Sequence, residues 1–394
     1  MSIDDNSFCI TPWLQLECFG DIVRPCCYFY DPEDNFLGSF NDNTIKDFWN
    51  CDNMKQLRSN MLAGKKHPGC KYCYEKEEKF SSSRRKVINN IWVNNDKLKE
   101  IVRNTLIDGT YLKQELTVLD LKLSNVCNFK CKMCDSDRST NYSNDPLLRK
   151  KKSIKDFDKW FYDNLDSLKE LKQLVFLGGE PLLQKEHYRL LELLVEHKIF
   201  PKIFIQTNGS ILKYGKYQKQ DIFNLWNKFP RVWIGISIDG FGTMGEYIRT
   251  GYNDNLVLKN IKDIKEVVKE KISVCITVQA YNVFFITEIF EDILNENITT
   301  EHNIEFSFLL NPRHLQCCVL PDDIKEKAIT KILNSRWYSL YPDRFQDVIN
   351  SIRKDNGDNQ ILNKQFIQHI KELEINSDIK LVDYFPEMKK YMED

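Results

Sequence analysis

The stretch Leu121-Lys-Leu-Ser-Asn-Val-Cys127-Asn-Phe-Lys-Cys131-Lys-Met-Cys134 places three cysteines within eight residues, directly after a predicted β-strand. Three thiolates this close together can ligate one face of an iron–sulfur cubane, because cysteine is the usual ligand of such clusters. A four-iron cluster held by three cysteines keeps one iron without a protein ligand, where a small molecule can bind. Structural zinc commonly takes four protein ligands, and this segment supplies three.

From residue 116 onward, short apolar runs alternate six times with longer amphipathic segments. The runs are Leu116–Leu123, Leu174–Leu177, Lys202–Gln206, Val232–Ile238, Ser273–Gln279 and Ile304–Leu310. Strands that alternate with helices predict an α/β fold with a parallel sheet. Six units are too few for a closed eight-stranded barrel, so we expect a partial (β/α)6 barrel of the TIM type, with a doubly wound sheet as the alternative. In either fold the functional residues are expected at the carboxyl ends of the strands.

Three further motifs follow predicted strands in this series. They are Gly178-Gly179-Glu180-Pro181 after the second strand, Gln206-Thr-Asn-Gly209 at the end of the third and Ser237-Ile-Asp239-Gly240 at the end of the fourth, with Arg249 soon after. Glycine suits a place where the backbone must approach a ligand closely. Each motif alone is typical of an ordinary turn, but their order behind the cysteine loop is specific.

This set of motifs resembles the radical SAM superfamily over residues 116–312. The resemblance implies a [4Fe–4S] cluster on Cys127, Cys131 and Cys134, with S-adenosyl-L-methionine (SAM) chelated at the open iron. In that family one electron cleaves SAM to methionine and a 5′-deoxyadenosyl radical, which abstracts hydrogen from the substrate. The cofactor carries the difficult chemistry, and the protein positions it and excludes side reactions.

The resemblance also implies a set of residues that contact SAM. These are Met133, Gly178, Gly179, Glu180, Gln206, Ser237, Asp239, Arg249 and Gln279. Met133 stands where many relatives have an aromatic residue near the adenine, and a thioether can pack there as well. Tyr281 and His314 follow the fifth and sixth strands and are candidate catalytic residues, His314 as a general base.

The first 90 residues contain seven of the thirteen cysteines. Their order resembles the twitch or SPASM modules that bind auxiliary clusters in many radical SAM enzymes. The resemblance implies one auxiliary [4Fe–4S] cluster on Cys9, Cys26, Cys70 and Cys73. Cys26 is preferred over the adjacent Cys27 because the family places this ligand directly after proline. The competing interpretation is a zinc site on His67, Cys70, Cys73 and Cys26, which shares three cysteines with the cluster set.

These motifs predict four regions. Residues 1–90 form the auxiliary iron–sulfur domain, 91–115 a helical connector, 116–312 the radical SAM core and 313–394 a helical C-terminal extension.

The composition narrows the class of protein. With 394 residues, 42% of them hydrophobic, the chain can bury a sizeable core, and a formal charge of −1 gives no general attraction for nucleic acid or membrane. Basic runs at Arg84–Lys86 and Arg149–Lys152 are expected to be solvated, with binding of an acidic partner as the alternative. The polar start of the chain and the missing apolar span predict a cytoplasmic protein, in which clustered cysteines bind metal or do chemistry.

Together these patterns predict an enzyme that abstracts hydrogen from a peptide or a small polar metabolite. An auxiliary cluster would take up the second electron, so that the net result is an oxidation or a cross-link. A flavodoxin-type or ferredoxin-type reductant would supply the first electron. The alternative is an electron-transfer or zinc-stabilised binding protein that does not cleave SAM.

Overall fold

The computed structural model describes residues 6–29, 37–79, 83–142, 153–269, 271–375 and 377–393. The described residues form two compact units. The first takes its residues from 1–126, 143–206 and 213–232, and the second from 127–142, 207–212 and 233–394. The basic run Arg149–Lys152 lies outside the described residues.

Strands and helices are numbered here in chain order. The strands are β1 Gln15–Phe19, β2 Ile22–Arg24, β3 Gly38–Ser39, β4 Val118–Lys122, β5 Lys130–Cys131, β6 Gln173–Phe176, β7 Lys202–Thr207, β8 Val232–Ser237, β9 Arg249–Thr250, β10 Ile272–Val278 and β11 Ile304–Phe308. The helices are α1 Thr11–Leu14, α2 Ile45–Trp49, α3 Asp52–Leu62, α4 Lys71–Lys79, α5 Arg84–Trp92, α6 Asn95–Asn104, α7 Phe157–Asp163, α8 Leu165–Leu168, α9 Lys185–Glu196, α10 Lys219–Trp226, α11 Gly242–Ile248, α12 Asp254–Val268, α13 Ile286–Asn295, α14 Asp322–Leu333, α15 Arg336–Leu340, α16 Pro342–Arg353, α17 Asn359–Leu373 and α18 Lys389–Met392.

In the first unit, strands β7, β6, β4 and β1 pair in parallel, and β2 and β3 follow in antiparallel pairing. Apolar residues line these strands because helices cover a parallel sheet. Strand β1 comes from the N-terminal cysteine region and pairs with β4 in the register Leu16 to Leu119. The N-terminal region therefore shares a sheet with the strand that leads to the cysteine loop, a pairing that the sequence patterns did not predict.

In the second unit, β10 pairs in parallel with β8 on one side and β11 on the other. The C-terminal helices α15 and α16 pack on α13 through aromatic side chains. The ring of Phe290 lies 4.9 Å from that of Trp337 and 5.5 Å from that of Phe345. Such pairs add to the stability that burial of the rings provides.

The apolar residues between Thr44 and Met61 have a helical spacing that predicts one helix with Thr44 as its N-cap. The segment instead forms two helices, α2 and α3, separated at Asn50 and Cys51, and Thr44 is the N-cap of the first. The break has a local reason, because the Asn50 side chain donates to the Tyr111 carbonyl and accepts from Arg58. Asn side chains that bond to nearby groups favour helix ends over helix interiors.

The six predicted strands correspond to β4, β6, β7, β8, β10 and β11. The predicted α/β class, with parallel strands, a cysteine-rich N-terminal region and a helical C-terminal region, is confirmed. The division into four functional regions stays a prediction. In the described part of the chain, no helix is both long enough and apolar enough to span a membrane.

Candidate active site

The cysteine loop is held by backbone pairing within the second unit. Strand β5 contains Cys131 and pairs antiparallel with β9, so that Cys131 lies opposite Arg249. The next residue, Lys132, donates its backbone N–H to the carbonyl of Ile248 at 2.9 Å. The loop contains few apolar residues, so backbone hydrogen bonds to the neighbouring segment around β9 hold its conformation.

A small amide network fixes the start of the same loop. Asn208 donates from Nδ2 to Oδ1 of Asn128 at 2.9 Å, and Asn128 donates from Nδ2 to the Ser210 hydroxyl at 2.9 Å. Asn128 follows the first loop cysteine directly. The sequence motif around Asn208 therefore positions the cysteine loop. Sequence analysis did not predict this role, although the polar Asn128 next to a predicted ligand cysteine could have indicated it.

Arg249 forms a buried ion pair with Asp239. Its Nη2 lies 2.8 Å from Oδ2 of Asp239, and its Nη1 lies 3.7 Å from the Cys131 sulfur. Burial raises the pKa of the Asp239 carboxyl, and Arg249 opposes that rise. Burial also raises the pKa of the Cys131 thiol, again opposed by Arg249. The Arg249 guanidinium thus stabilises the ionised forms of Asp239 and Cys131, which burial alone would disfavour.

Asp239 is held in place by two further contacts. Its Oδ1 accepts from the backbone N–H of Thr277 at 2.6 Å, and its carbonyl accepts from the Asn282 side chain at 3.0 Å. Asn282 also accepts from the backbone N–H of Gln279 at 2.9 Å. The ends of β8 and β10 are therefore joined at Asp239 and Gln279, two of the residues predicted to contact SAM.

Among the described residues, the buried polar atoms without a hydrogen-bond partner near these strand ends include Oε1 of Gln279, the hydroxyl of Tyr281 and Nε of Arg249. The side chains of Gln279 and Tyr281 are fully buried. Ser237 ends β8 and is half-buried, and Met133 in the cysteine loop is half-buried as well. Unpartnered buried polar atoms are costly, and they are often found where a ligand completes the bonding.

The Gly178–Pro181 motif belongs to the first unit. Gly178 has φ of +114°, and a Cβ at Gly179 would lie 2.2 Å from the Val126 carbonyl oxygen. The glycines are needed here because this turn packs against the backbone that leads into the cysteine loop. Glu180 is fully buried and its carboxylate accepts from the backbone N–H of Leu182 at 3.1 Å. Gln206, near the end of β7, is half-buried.

His314 lies beside His369 of α17, and the carbonyl of the next residue, Leu315, accepts from the backbone N–H of Ala280 at 2.9 Å. The two rings are 4.7 Å apart at the edge of a shallow cavity of about 480 Å³, and each has a buried Nε2 without a partner. Burial lowers the pKa of both, that of His369 to about 4. A base with a lowered pKa is neutral at pH 7, so His314 can accept a proton.

The four cysteines predicted for the auxiliary cluster lie in the first unit, within electrostatic range of one another. Burial raises the pKa of Cys26 well above its ordinary value, and the thiols of Cys27, Cys70 and Cys9 raise it further. Burial likewise raises the pKa of Cys70, with further effects of Cys9 and Cys73. The fold therefore brings together thiols that are as far apart in sequence as residues 9 and 73.

Cys27 has different surroundings from Cys26. Burial raises the pKa of Cys27 to about 12, and the charged groups Arg84, Glu17, Asp120 and Lys122 also affect it. The choice of Cys26 as the ligand stays a prediction.

The structure bears on the alternative zinc site in two ways: His67 already accepts a hydrogen bond, and the candidate ligands are too far apart for one metal ion. His67 accepts at Nδ1 from the backbone N–H of Gly69 at 3.1 Å, within the turn that precedes Cys70. In the described ranges, no three His, Cys, Asp or Glu side chains are close enough to hold a single metal ion. Thiolates around one zinc ion lie roughly 3.8 Å apart, as follows from Zn–S bonds of about 2.3 Å, whereas a cubane spreads its ligands over several metal ions.

In the basic run Arg84–Lys86, only Lys86 is exposed as predicted, and both arginines have ion-pair partners. Arg85 is buried and forms an ion pair with Glu77, and its Nη1 donates to the Phe8 carbonyl at 2.8 Å. Arg84 pairs with the buried Asp120 at 3.0 Å. These two arginines support the N-terminal cysteine region from inside.

Both cysteine groups fit the cofactors that the sequence implies. The loop offers three thiols with a guanidinium beside one of them, and the unpartnered Gln279 oxygen provides an acceptor for a further ligand. The N-terminal group offers four thiols, which satisfies all four irons of a cubane.

Comparison with known proteins agrees with this division. The sequence model of the radical SAM superfamily matches residues 121–283, and that of the SPASM iron–sulfur cluster-binding domain matches residues 9–75. Residues 121–283 of the chain thus match a superfamily whose members are enzymes. The first of these domains implies a [4Fe–4S] cluster and SAM, and the second implies auxiliary iron–sulfur binding.

Curated relatives match only part of the chain. GTP 3′,8-cyclase of Mannheimia succiniciproducens is 26% identical over 190 residues, which is 45% of this chain and 49% of that enzyme. The cyclase of Haemophilus ducreyi is 28% identical over 163 residues, or 41% of this chain and 44% of that enzyme. The chain thus spans about half the length of the curated relatives it matches.

Solved structures show a distant likeness. Native anSMEcpe with bound AdoMet has a TM-score of 0.43 and 17% identity, with 58% of this chain and 63% of that chain covered. SuiB of Streptococcus suis has a TM-score of 0.39 and 14% identity, with 87% and 74% covered.

Proposed function

We propose that this protein cleaves SAM reductively at a cluster on Cys127, Cys131 and Cys134 and abstracts a hydrogen atom from a peptide or a small polar metabolite. A second cluster, on Cys9, Cys26, Cys70 and Cys73, takes up an electron from the substrate. The net reaction is an oxidation or a cross-link, and a flavodoxin-type or ferredoxin-type protein is the reductant.

The observation that carries this proposal is the contrast in ligand number between the two cysteine groups. The loop supplies three thiols on one short segment fixed by β9, and the N-terminal region gathers four thiols. A fully ligated cluster suits electron transfer, whereas one with an open iron binds a small molecule. A pure electron carrier has no need of the open position.

The chain's own residues have three tasks in this proposal. Arg249 holds the charge of Cys131 and Asp239, and Asp239 with Asn282 joins the ends of two strands. The buried acceptor of Gln279 and the hydroxyl of Tyr281 offer hydrogen bonds where water is excluded. When bound, the cluster and SAM supply the radical that removes hydrogen; the protein orients it and protects it from side reactions.

Oxidation of an H–C–X–H group, where X is carbon, nitrogen or oxygen, removes two electrons and two protons. The abstracted hydrogen atom carries one electron and the proton of the C–H bond, the auxiliary cluster would take up the second electron, and a base accepts the second proton from the X–H bond. His314 is the proposed base, because its Nε2 is buried without a partner and its lowered pKa keeps it neutral.

The test is an anaerobic reconstitution with iron and sulfide, reduction with dithionite and addition of SAM. We expect 5′-deoxyadenosine by mass spectrometry, and iron near two cubanes per chain. If a full iron complement gives no 5′-deoxyadenosine, the EPR spectrum of the reduced protein decides. A spectrum that SAM leaves unchanged would contradict the proposal and favour an electron carrier.

A further inference from the structure

Two acidic side chains lie side by side in the sheet of the first unit. Glu17 of β1 and Asp120 of β4 are direct partners in the parallel register, and both are fully buried. Like charges on paired strands repel each other, and a buried carboxylate is stable only when it is paired. A sheet built for stability alone would place apolar residues here.

Each carboxylate has a counter-ion, but only one of its oxygens is used. Lys122 pairs with Oε1 of Glu17, while Arg84 and the Gln15 amide bond to Oδ2 of Asp120 at 3.0 Å and 2.8 Å. Oε2 of Glu17, Oδ1 of Asp120 and Nε of Arg84 are buried without partners. Three unpartnered polar atoms in one group of side chains are costly to bury, and a bound polar group offsets that cost.

The same group of side chains reaches the surface and borders the N-terminal cysteines. The side chain of Arg84 is 29% exposed and that of Lys122 is 22% exposed, so both counter-ions of this group are in contact with solvent. Cys27 is half-buried and experiences the charges of Arg84, Glu17 and Asp120. We call Gln15, Glu17, Cys27, Arg84, Asp120 and Lys122 the β1–β4 charge cluster.

We propose that the β1–β4 charge cluster binds a primary carboxamide of the substrate, such as an asparagine or glutamine side chain of a peptide. The two free carboxylate oxygens accept the two N–H bonds of the amide, and the free Nε–H of Arg84 donates to its carbonyl. This site lies beside Cys27, the neighbour of a proposed auxiliary-cluster ligand, and the inference deepens the function proposed above.

A carboxylate in place of the carboxamide is excluded by the same chemistry. It would bring a third negative charge against two buried acidic groups and could donate no N–H bond. The cluster therefore distinguishes an amide from the corresponding acid.

The test follows alkylation of Cys27 by N-ethylmaleimide, which contains no primary carboxamide, in the reconstituted protein, with the labelled peptide quantified by mass spectrometry. N-acetyl-L-glutamine N-methylamide is the amide probe, and N-acetyl-L-glutamate N-methylamide is the matched acid, which has no primary carboxamide. We expect the amide probe to slow labelling of Cys27 several-fold and the acid to leave it unchanged. Glu17→Gln and Asp120→Asn should each remove the protection, whereas Asp108→Asn on the surface should keep it.

Equal protection by the acid, no protection at any probe concentration, or full protection in both variants would overturn the inference. Iron content of each variant shows whether it has folded around its clusters. Because labelling needs no SAM, failure of SAM cleavage with intact protection would overturn the proposed function alone, and the reverse result would overturn this site alone.

Discussion

The two cysteine groups of this protein are built in opposite ways. The loop group takes its three thiols from one short segment, and pairing with β9 and the amide of Asn208 fixes it. The N-terminal group gathers four thiols from more than sixty residues of chain and is supported by the buried pair of Arg85 and Glu77. A local group depends on the segments that flank it, whereas a dispersed group depends on the fold of its whole region.

The largest effect is expected from replacing all three loop cysteines. Cys127→Ala, Cys131→Ala and Cys134→Ala together should lower 5′-deoxyadenosine formation about a hundredfold or more, because no side chain supplies the chemistry of the lost cofactor. About one cubane per chain should remain, on the N-terminal group. Cys51→Ala is the matched control, and persistent SAM cleavage in the triple variant would refute the assignment.

Replacing two N-terminal cysteines should have the complementary effect. Cys70→Ala with Cys73→Ala should lower the iron content from about eight to about four atoms per chain, since each cubane holds four. The control is Cys27→Ala, which should retain both clusters because its thiol faces charged groups. If Cys27→Ala loses as much iron, the ligand is Cys27 and not Cys26. Loss of zinc with iron unchanged would favour the zinc site.

Substitutions of Arg249 test how strongly SAM binding at the cysteine loop depends on the segment that pairs with it. Arg249→Ala should weaken SAM binding by about tenfold while iron is largely retained, because a charge-assisted bond is lost and Asp239 is left buried without its counter-ion. Arg249→Lys should fall between the wild type and the alanine variant, since lysine keeps the charge but not the planar fork. Equilibrium binding of SAM to the reconstituted protein measures both. Unchanged affinity in Arg249→Ala would remove this residue from the site.

The smallest expected effect is on how the free energy of unfolding of the first unit changes with pH. His187 is fully buried, neither ring nitrogen has a partner, and burial lowers its pKa to about 3. Below an ordinary histidine pKa of about 6.5, the unfolded chain binds a proton that the folded chain does not, so the free energy of unfolding falls by about 1 kcal/mol between about pH 7.5 and pH 6.

His187→Phe should remove this part of the pH dependence, because the ring packs 4.2 Å from Phe176 and gives up no hydrogen bond. Thermal unfolding followed by circular dichroism, with cluster absorbance recorded in parallel, separates this effect from acid loss of the clusters. His302→Gln on the surface is the control. An equal pH dependence in His187→Phe and the wild type would show that the acid sensitivity arises elsewhere.

The sequence was informative where chemistry requires a local pattern. The six strands and the three-cysteine loop follow from short-range periodicity and spacing. The roles of individual SAM-contacting residues, among them Arg249 and Gln279, stay predictions. The amide contact between Asn128 and Asn208 joins segments 80 residues apart in sequence, which no local pattern encodes. The burial of Arg85 could not be predicted from local sequence either, because a run of basic residues ordinarily lies in solvent.

The parallel pairing of β1 with β4 has a consequence for how the chain is made. Gln15 finds its partner Val118 only after about a hundred further residues have been synthesised, and contacts this distant in sequence form slowly. Until then, β1 presents an open strand edge to other nascent chains, which is a route to aggregation. The N-terminal cysteines are therefore fixed late, and a fragment that ends before β4 would lack the strand that completes their framework.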